Sequence, residues 1–354
     1  MSGASSLDIA ALGRPRRDVS SLMRAVMLAL VPGTLVQAWL VGGGVLTNLS
    51  VVVLAALALE ALVLRIRRRP LRPALGDGSI VLAAWLLALT LPPGLPVGQL
   101  LAGTAAMVLL GKHLYGGLGH NPFNPAMVGY AVLIVSFPVS MTAWPETALV
   151  RVSPLAPPVD ERVDTREAGE NDWDAITAAT PLDRLRTLER EAAYGSLAPS
   201  REASVNTGAI RPGDLILDSP WPWTSGAFLV GGLWLLARGL IGWRIPCSVL
   251  GTLALLHAAH GSLAAMPQPP VHAELLAGAA VLGAFFVATD PVSAPSAPRA
   301  RLLYGTGIGT LTFALREFSA YPEGFAFAVL LMNATVPLLD RLSGAGNRAR
   351  ATDR

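Results

Sequence analysis

A polar segment between two apolar halves of the chain contains two threonines whose spacing suits anion binding or helix capping. The segment reads Asp174-Ala175-Ile176-Thr177-Ala178-Ala179-Thr180-Pro181-Leu182. Proline is favoured in the first turn of a helix, so a helix is predicted to begin at Pro181. The free amides of a helix N-terminus favour an anion such as phosphate. The residues alone favour a plainer interpretation, in which Thr180 is simply the N-cap of that helix.

A second segment, residues 112–125, combines three glycines with two asparagine–proline steps. This composition forbids ordinary helix, because proline and glycine break it. Irregular backbone at the edge of a membrane is tolerated where it is buried in protein or lines a cavity. Asn121 and Asn124 are therefore candidate functional residues, since their amides can hydrogen-bond backbone or a polar ligand. The alternative is a plain tight loop.

A third segment places a carboxylate in apolar surroundings, at Phe285-Phe286-Val287-Ala288-Thr289-Asp290-Pro291-Val292-Ser293. A charged group at membrane depth is costly and is usually partnered, which makes Asp290 a further functional candidate. The alternative is an ordinary Asp-Pro turn that ends a helix. Glu60 also lies in an apolar stretch. We interpret it as a snorkelling or paired structural residue rather than a proton carrier.

The composition of the whole chain is that of a membrane protein. Of its 354 residues, 52% are hydrophobic and only 14% are charged, whereas soluble domains carry about 25% charged residues. The net charge of +3 does not indicate nucleic-acid binding, because the arginines stand at the ends of apolar segments. The single cysteine, Cys247, excludes an intrachain disulfide and is predicted to be a small buried hydrophobic residue.

The apolar residues form segments long enough to cross a bilayer, which takes about 20 helical residues. An all-α integral membrane protein with about ten transmembrane helices is predicted. The ten segments cover residues 23–41, 45–64, 79–95, 97–112, 126–143, 223–239, 245–264, 271–289, 301–316 and 323–340.

The arginines predict how these helices are oriented. They cluster before the first segment, over residues 65–72 and in the C-terminal tail, and cytoplasmic loops carry the excess of Lys and Arg. Both termini are therefore predicted to be cytoplasmic, in a bacterial inner membrane. The chain divides into a membrane half at 1–143, a long periplasmic loop at 144–222, a second membrane half at 223–342 and a tail at 343–354.

Four stretches, in this order and on this layout, resemble the D subunit of the Rnf (Rsx) ion-translocating electron transport complex. They are Gly116 to Tyr130, Asp174 to Leu182, Ala288 to Ser293 and Tyr321 to Asn333. The resemblance runs from about residue 20 to 342. It implies a subunit of a multi-subunit redox pump, in which electrons pass between ferredoxin and NAD while ions cross the membrane.

The resemblance also implies a cofactor, an FMN joined through its phosphate to a threonine hydroxyl. The family's acceptor pattern matches Asp174, Thr177 and the acceptor Thr180, with Ala178 at a position where many relatives have glycine. The implied partners are the other subunits of the complex, membrane lipid and a flavin transferase that installs FMN from FAD. No metal site and no nucleic-acid partner are expected in this chain.

Two other functions fit parts of the pattern. The B subunit of the sodium-translocating NADH:quinone reductase is related and has a similar acceptor loop, but its N-terminal extension is longer. A transporter without redox chemistry also suits ten helices with segments broken by glycine and proline. Covalent flavin in the purified chain distinguishes a redox subunit from such a transporter.

Overall fold

Helices make up nearly all of the regular structure that is described for this chain. The structure is a computed structural model, and it describes residues 19–117, 119–145, 177–178, 220–263, 269–319 and 324–343. Asp174 and Thr180 lie outside these residues, and of Thr177 only the backbone is described.

The first half contains two long helices followed by shorter ones. The fifth helix continues directly as a π-helix, π1 (Ala106–His113). The elements are α1 (Val19–Val41), α2 (Gly44–Ile66), α3 (Leu71–Gly76), α4 (Ser79–Leu89), α5 (Val97–Ala105), α6 (Pro125–Ser136), α7 (Pro138–Thr142) and strand β1 (Trp144–Pro145).

The second half also contains an α-helix that continues directly as a π-helix. After strand β2 (Thr177–Ala178) come α8 (Trp221–Ala237), α9 (Arg244–Leu263), α10 (Val271–Leu276), α11 (Ala280–Leu282), π-helix π2 (Gly283–Val287), α12 (Pro298–Phe318) and α13 (Phe325–Leu342). Helix is therefore present in every one of the ten apolar segments. The break at residues 277–279, inside the eighth segment, was not predicted from the sequence.

Among the residues that the structure describes, three helices are long and apolar enough to cross a bilayer by length and composition. They are α1, α2 and α13, with mean hydropathies of 1.7, 2.4 and 1.5. These spans, together with helix in nearly all of the regular structure described, support the all-α membrane class. The number of spans remains a prediction, since α4 and α6 are shorter apolar helices.

The described helices give the molecule two ends. The "arginine end" carries the α2–α3 turn, the α8–α9 turn and the start of α12. The "strand end" carries the α1–α2 turn, the α4–α5 turn and the short antiparallel pair of β1 and β2. Cys247 lies on the outside of α9 and is exposed, so its predicted burial was wrong. An apolar surface that faces lipid is as suitable for a cysteine as a core.

Helix breaks at the strand end leave carbonyl groups that neighbouring side chains satisfy. Gln37 donates to the Leu89 carbonyl at 3.0 Å and Asn48 to the Pro92 carbonyl at 2.9 Å. In the second half, Arg316 donates to the carbonyls of Glu274 and Ala277 and pairs with the Glu274 carboxylate at 2.8 Å. Unsatisfied backbone groups are costly in hydrocarbon, so these contacts permit the breaks.

Glycine allows the closest helix crossings. Gly231 of α8 lies against the carbonyl of Ala29 in α1, and a Cβ at Gly231 would overlap that oxygen. A Cβ at Gly309 of α12 would likewise lie only 2.6 Å from the Val249 carbonyl oxygen of α9. Small residues at interfaces let membrane helices approach, because packing rather than water exclusion drives their association.

We predict that Gly231→Ala destabilises the protein through the α1–α8 crossing. The added methyl has to displace the Ala29 backbone, an overpacking cost of about 1–3 kcal/mol. Gly226→Ala in the same helix is the matched control, since a Cβ there meets nothing within 4 Å. The measurement is the thermal unfolding midpoint in detergent. Equal midpoints for the two variants would contradict the crossing described here.

Candidate functional site

The 112–125 segment and the segment that contains Asp290 meet in the fold. The 112–125 segment follows π1, the Asp290 segment follows π2, and both lie at the arginine end. Asn124 joins them, since its side-chain nitrogen donates to the Val287 carbonyl at the end of π2, at 3.3 Å. The structure therefore brings Asn121, Asn124 and Asp290 to one site.

Asn124 is also the N-cap of α6. Its side-chain oxygen accepts from the backbone N–H groups of Ala126 and Met127, at 3.0 and 3.3 Å. Pro125 occupies the first helical position, which has no N–H to satisfy. One side chain thus starts α6 with its oxygen and holds π2 with its nitrogen.

Asn333 of α13 extends this network toward the middle of the bundle. Its amide satisfies all of its neighbours when the nitrogen faces the Tyr304 hydroxyl at 2.6 Å and the Val329 carbonyl at 2.8 Å. The oxygen then accepts from the backbone N–H of Asn124 at 2.9 Å. The sequence analysis did not connect Asn333 with Asn124, although both lie in stretches that resemble the family.

Asp290 is partnered locally. Its carboxylate accepts from the Ser293 hydroxyl at 2.8 Å and from the Ser293 N–H at 3.3 Å. It lies in the loop between π2 and α12, outside the membrane-spanning helices. Burial raises the pKa of the Asp290 carboxyl, and the hydrogen bonds from Ser293 oppose that rise. The carboxylate therefore stabilises a local turn, and this half-buried group also lines a cavity.

Glu60 belongs to a buried charged cluster with Lys112 and His113. Its two oxygens contact Lys112 Nζ at 2.9 Å and His113 Nε2 at 2.7 Å, and its side chain is 1% exposed. Lys112 also donates to Ser79 at 3.1 Å. The interpretation of Glu60 as paired is confirmed. By the positive-inside rule Lys112 counts only as a charge that marks the cytoplasmic side, and the sequence signal of its burial is the adjacent Lys-His pair.

The "aspartate cavity" occupies the arginine end beside these groups. Its volume is about 820 Å³ counted to its open mouth. The polar residues that line it are Ser79, Lys112, Asn121, Asn124, Thr289 and Asp290. Asn121 donates to the Phe123 carbonyl, but its buried side-chain oxygen has no hydrogen-bond partner among the described residues. A buried acceptor left open beside a cavity is suited to a donor on a bound molecule.

The "tryptophan cavity" occupies the strand end. The space inside it, counted together with the solvent at its open mouth, is about 960 Å³. Trp144 and Trp221 stand edge to face, with ring centroids 4.9 Å apart. They line the cavity together with Tyr130, Phe228, Phe325 and the polar residues Gln37, Thr90, Thr224 and Ser225.

π2 stands between the two cavities. Gly283 and Val287 line the tryptophan cavity, whereas Phe285 and Phe286 line the aspartate cavity. A π-helix is rare and often marks a functional site. The sequence did not predict π1 or π2, since both follow an apolar pattern that ordinary helix satisfies equally well.

Residues 177 and 178, the described part of the 174–182 segment, reach the tryptophan cavity through the short strand pair. The backbone of Thr177 pairs with Pro145 and that of Ala178 pairs with Trp144, which lines the cavity. Asp174 and Thr180 lie outside the described residues, so their predicted roles remain predictions.

Two comparisons with known proteins bear on this arrangement. A family model described as the NQR2, RnfD, RnfE family matches residues 9–347. The chain belongs to this family. The resemblance drawn from the four sequence stretches is thereby confirmed.

Individual relatives are similar over nearly the whole chain. The D subunit of the ion-translocating oxidoreductase complex of Aeromonas salmonicida is 43% identical over 342 residues, which are 93% of this chain and 94% of the relative. The protein of the same name from Cronobacter sakazakii is 42% identical over 336 residues, 92% of this chain and 93% of the relative. That from Escherichia coli is 41% identical over 337 residues, with the same two coverages.

Proposed function

We propose that this chain is a membrane subunit of an ion-translocating oxidoreductase complex and carries FMN covalently on Thr180, with the flavin ring in the tryptophan cavity. The name that the relatives share supports a complex with other subunits. Within that class we propose the ferredoxin:NAD type. The relatives just described are D subunits, which favours this type over the sodium-translocating quinone reductase.

The observation that carries the proposal is the pairing of β1 with β2. Ala178 pairs with Trp144, whose side chain lines the tryptophan cavity. Thr180 is two residues further along the chain, so at most about 7 Å of extended backbone separates it from that pairing. A phosphoester on Thr180 is thus tethered near the mouth of a cavity with aromatic walls.

The residues of the cavity fit a flavin ring. The ring is flat and aromatic with a polar edge, and the cavity offers aromatic walls with a few polar groups, the usual pattern of cofactor sites. Gln37 uses its nitrogen on Leu89, while its amide oxygen has no donor among the described residues and can accept from a bound ring. Thr224 and Ser225 donate to backbone carbonyls, which leaves their oxygens as acceptors.

FMN supplies reversible electron acceptance when bound, and the protein supplies position and surroundings. Trp144, Trp221 and Phe228 supply apolar walls. Gln37 provides a fixed acceptor. Attachment requires a flavin transferase, which forms the bond between the threonine hydroxyl and the FMN phosphate while the pyrophosphate of FAD breaks and AMP leaves.

We predict that Thr180 carries the flavin and Thr177 does not. Thr180→Ala should abolish covalent flavin, because the phosphoester then has no acceptor oxygen. Thr177→Ala, only three residues away, is the matched control and should lower the yield without moving the attachment site. The protein is made together with its transferase, and a fluorescent band on a denaturing gel reports attachment.

Mass spectrometry of the 144–222 loop then locates the adduct. An adduct on Thr177, with a full band in Thr180→Ala, would show that the motif register is wrong. Wild-type protein with no band at all would remove the support for the redox function.

We further propose that both termini are cytoplasmic and that residues 144–222 are periplasmic in a bacterial inner membrane. The distribution of arginines supports this orientation. Single cysteines in a Cys247→Ser background are expected to react with an impermeant thiol reagent from the periplasm when placed at residues 150–210. A cysteine placed at residue 70 should react only after the membrane is opened. The reverse labelling pattern would show that the orientation is opposite to the one proposed.

We also propose that the aspartate cavity lies on the electron or ion route, with Asp290 as its charged group. Asp290→Asn keeps an acceptor for Ser293 and removes the charge. The rate of ion transport should therefore fall several-fold, while the amount of assembled complex should change little. Ser293→Ala is the control, because it removes the hydroxyl donor and retains the carboxylate. A full rate of ion transport in an assembled Asp290→Asn complex would show that Asp290 only stabilises the local turn.

A further inference from the structure

The turn between α2 and α3 concentrates positive charge at the arginine end. Five of its residues are arginines, and all five are exposed: Arg65, Arg67, Arg68, Arg69 and Arg72. Within the part of the chain that the structure describes, none of the five forms an ion pair with an acidic side chain. Glu60, the nearest acidic residue before the turn in sequence, is buried and engaged by Lys112 and His113.

Arg68 is held in a conformation that arginine ordinarily avoids. Its φ is 53°, the left-handed region, and it is the only non-glycine residue with positive φ in the described chain. Arg68 N–H bonds to the Arg65 carbonyl and Arg69 N–H to the Leu64 carbonyl, the pattern of a Schellman helix end. Glycine is the usual residue there because it has no Cβ.

A strained residue persists when the surroundings or a function require it. No hydrogen bond or ion pair of the Arg68 side chain occurs among the described residues. The left-handed backbone closes the helix end, but glycine would close it without strain, so the helix end does not account for an arginine at this position. The effect of this arginine is to place one more guanidinium beside four others.

Exposed apolar side chains of α2 lie next to these arginines, on the side of the predicted membrane. Leu62 is 53% exposed and Ile66 is 72% exposed. They are four residues apart, so they share one face of α2, a helix with a mean hydropathy of 2.4. Exposed leucine and isoleucine in the last turns of α2, next to arginines without acidic partners, are complementary to a phospholipid. Its acyl chains would lie against the helix and its phosphate at the helix end.

We propose that the α2–α3 turn, residues 65–72, is a binding site for an anionic phospholipid. The guanidinium groups of Arg65, Arg67, Arg68 and Arg72 bind the phosphate and headgroup, because arginine forms paired hydrogen bonds to phosphate oxygens. Leu62 and Ile66 contact the acyl chains. The site does not depend on the flavin.

Arg69 connects this site to the aspartate cavity. Its side chain donates to the Gly116 carbonyl at 3.1 Å, and Gly116 belongs to the loop that leads to Asn121 and Asn124. A lipid on the neighbouring arginines therefore occupies the same turn that supports one wall of that cavity. Charge alone would also suit an acidic protein surface, but the exposed apolar residues below the arginines favour lipid.

The test is lipid retention by the purified full-length chain in native mass spectrometry. Phosphatidylglycerol and phosphatidylcholine with identical acyl chains are added at equal concentration. The wild type should retain phosphatidylglycerol preferentially. Arg68→Gly should weaken its retention about fivefold, and Arg67→Gln with Arg72→Gln about 25-fold, at about fivefold for each arginine that binds the headgroup. Arg341→Gln, exposed at the same end, is the control and should change nothing.

Arg68→Gly also separates binding from folding. Glycine suits the left-handed position, so the thermal midpoint should stay equal or rise while lipid retention falls. Equal retention of the two lipids by the wild type would overturn the proposal. So would an Arg341→Gln loss as large as that of Arg68→Gly. Unchanged lipid retention in the variants, combined with loss of co-purifying partner proteins of the complex, would assign the arginines to an acidic protein partner instead.

Discussion

The satisfaction of backbone polar groups at broken helices is the constraint on which the rest of the structure depends. Hydrocarbon offers no water to an open carbonyl or N–H, so a helix can break at membrane depth only where protein groups replace the lost bonds. Asn124 does this at two breaks, since it caps α6 and donates to the Val287 carbonyl of π2. Gln37, Asn48 and Arg316 do the same at the strand end.

The buried ionic contacts follow the same rule. A buried pair is weak evidence for stability, but loss of one partner leaves an unpaired charge at a cost of about 3–5 kcal/mol. Glu60 is shared by Lys112 and His113. The cluster ties the end of π1 to α2 and keeps Lys112 at the wall of the aspartate cavity. Glu274 and Arg316 similarly hold the break between α10 and α11.

The sequence predicted the class of protein and the positions of the helices because the apolar segments are long and charges are rare within them. It also singled out Asn121, Asn124 and Asp290, since proline, glycine and acid stand out against an apolar background. It could not show that Asn124 contacts Val287, which is 163 residues away in sequence. Nor could it separate a charge that marks topology from one that is buried, as Lys112 shows.

The local conformation of π1 and π2 lay beyond sequence reasoning for a different reason. An extra residue per turn changes no composition and little periodicity, yet it decides which side chains face which cavity. Along π2, Val287 faces the tryptophan cavity while its carbonyl accepts from Asn124. Asn124 itself lines the aspartate cavity. The Asn124–Val287 hydrogen bond thus links the walls of the two cavities, in addition to π2 itself, and it forms because the end of π2 lies against the start of α6.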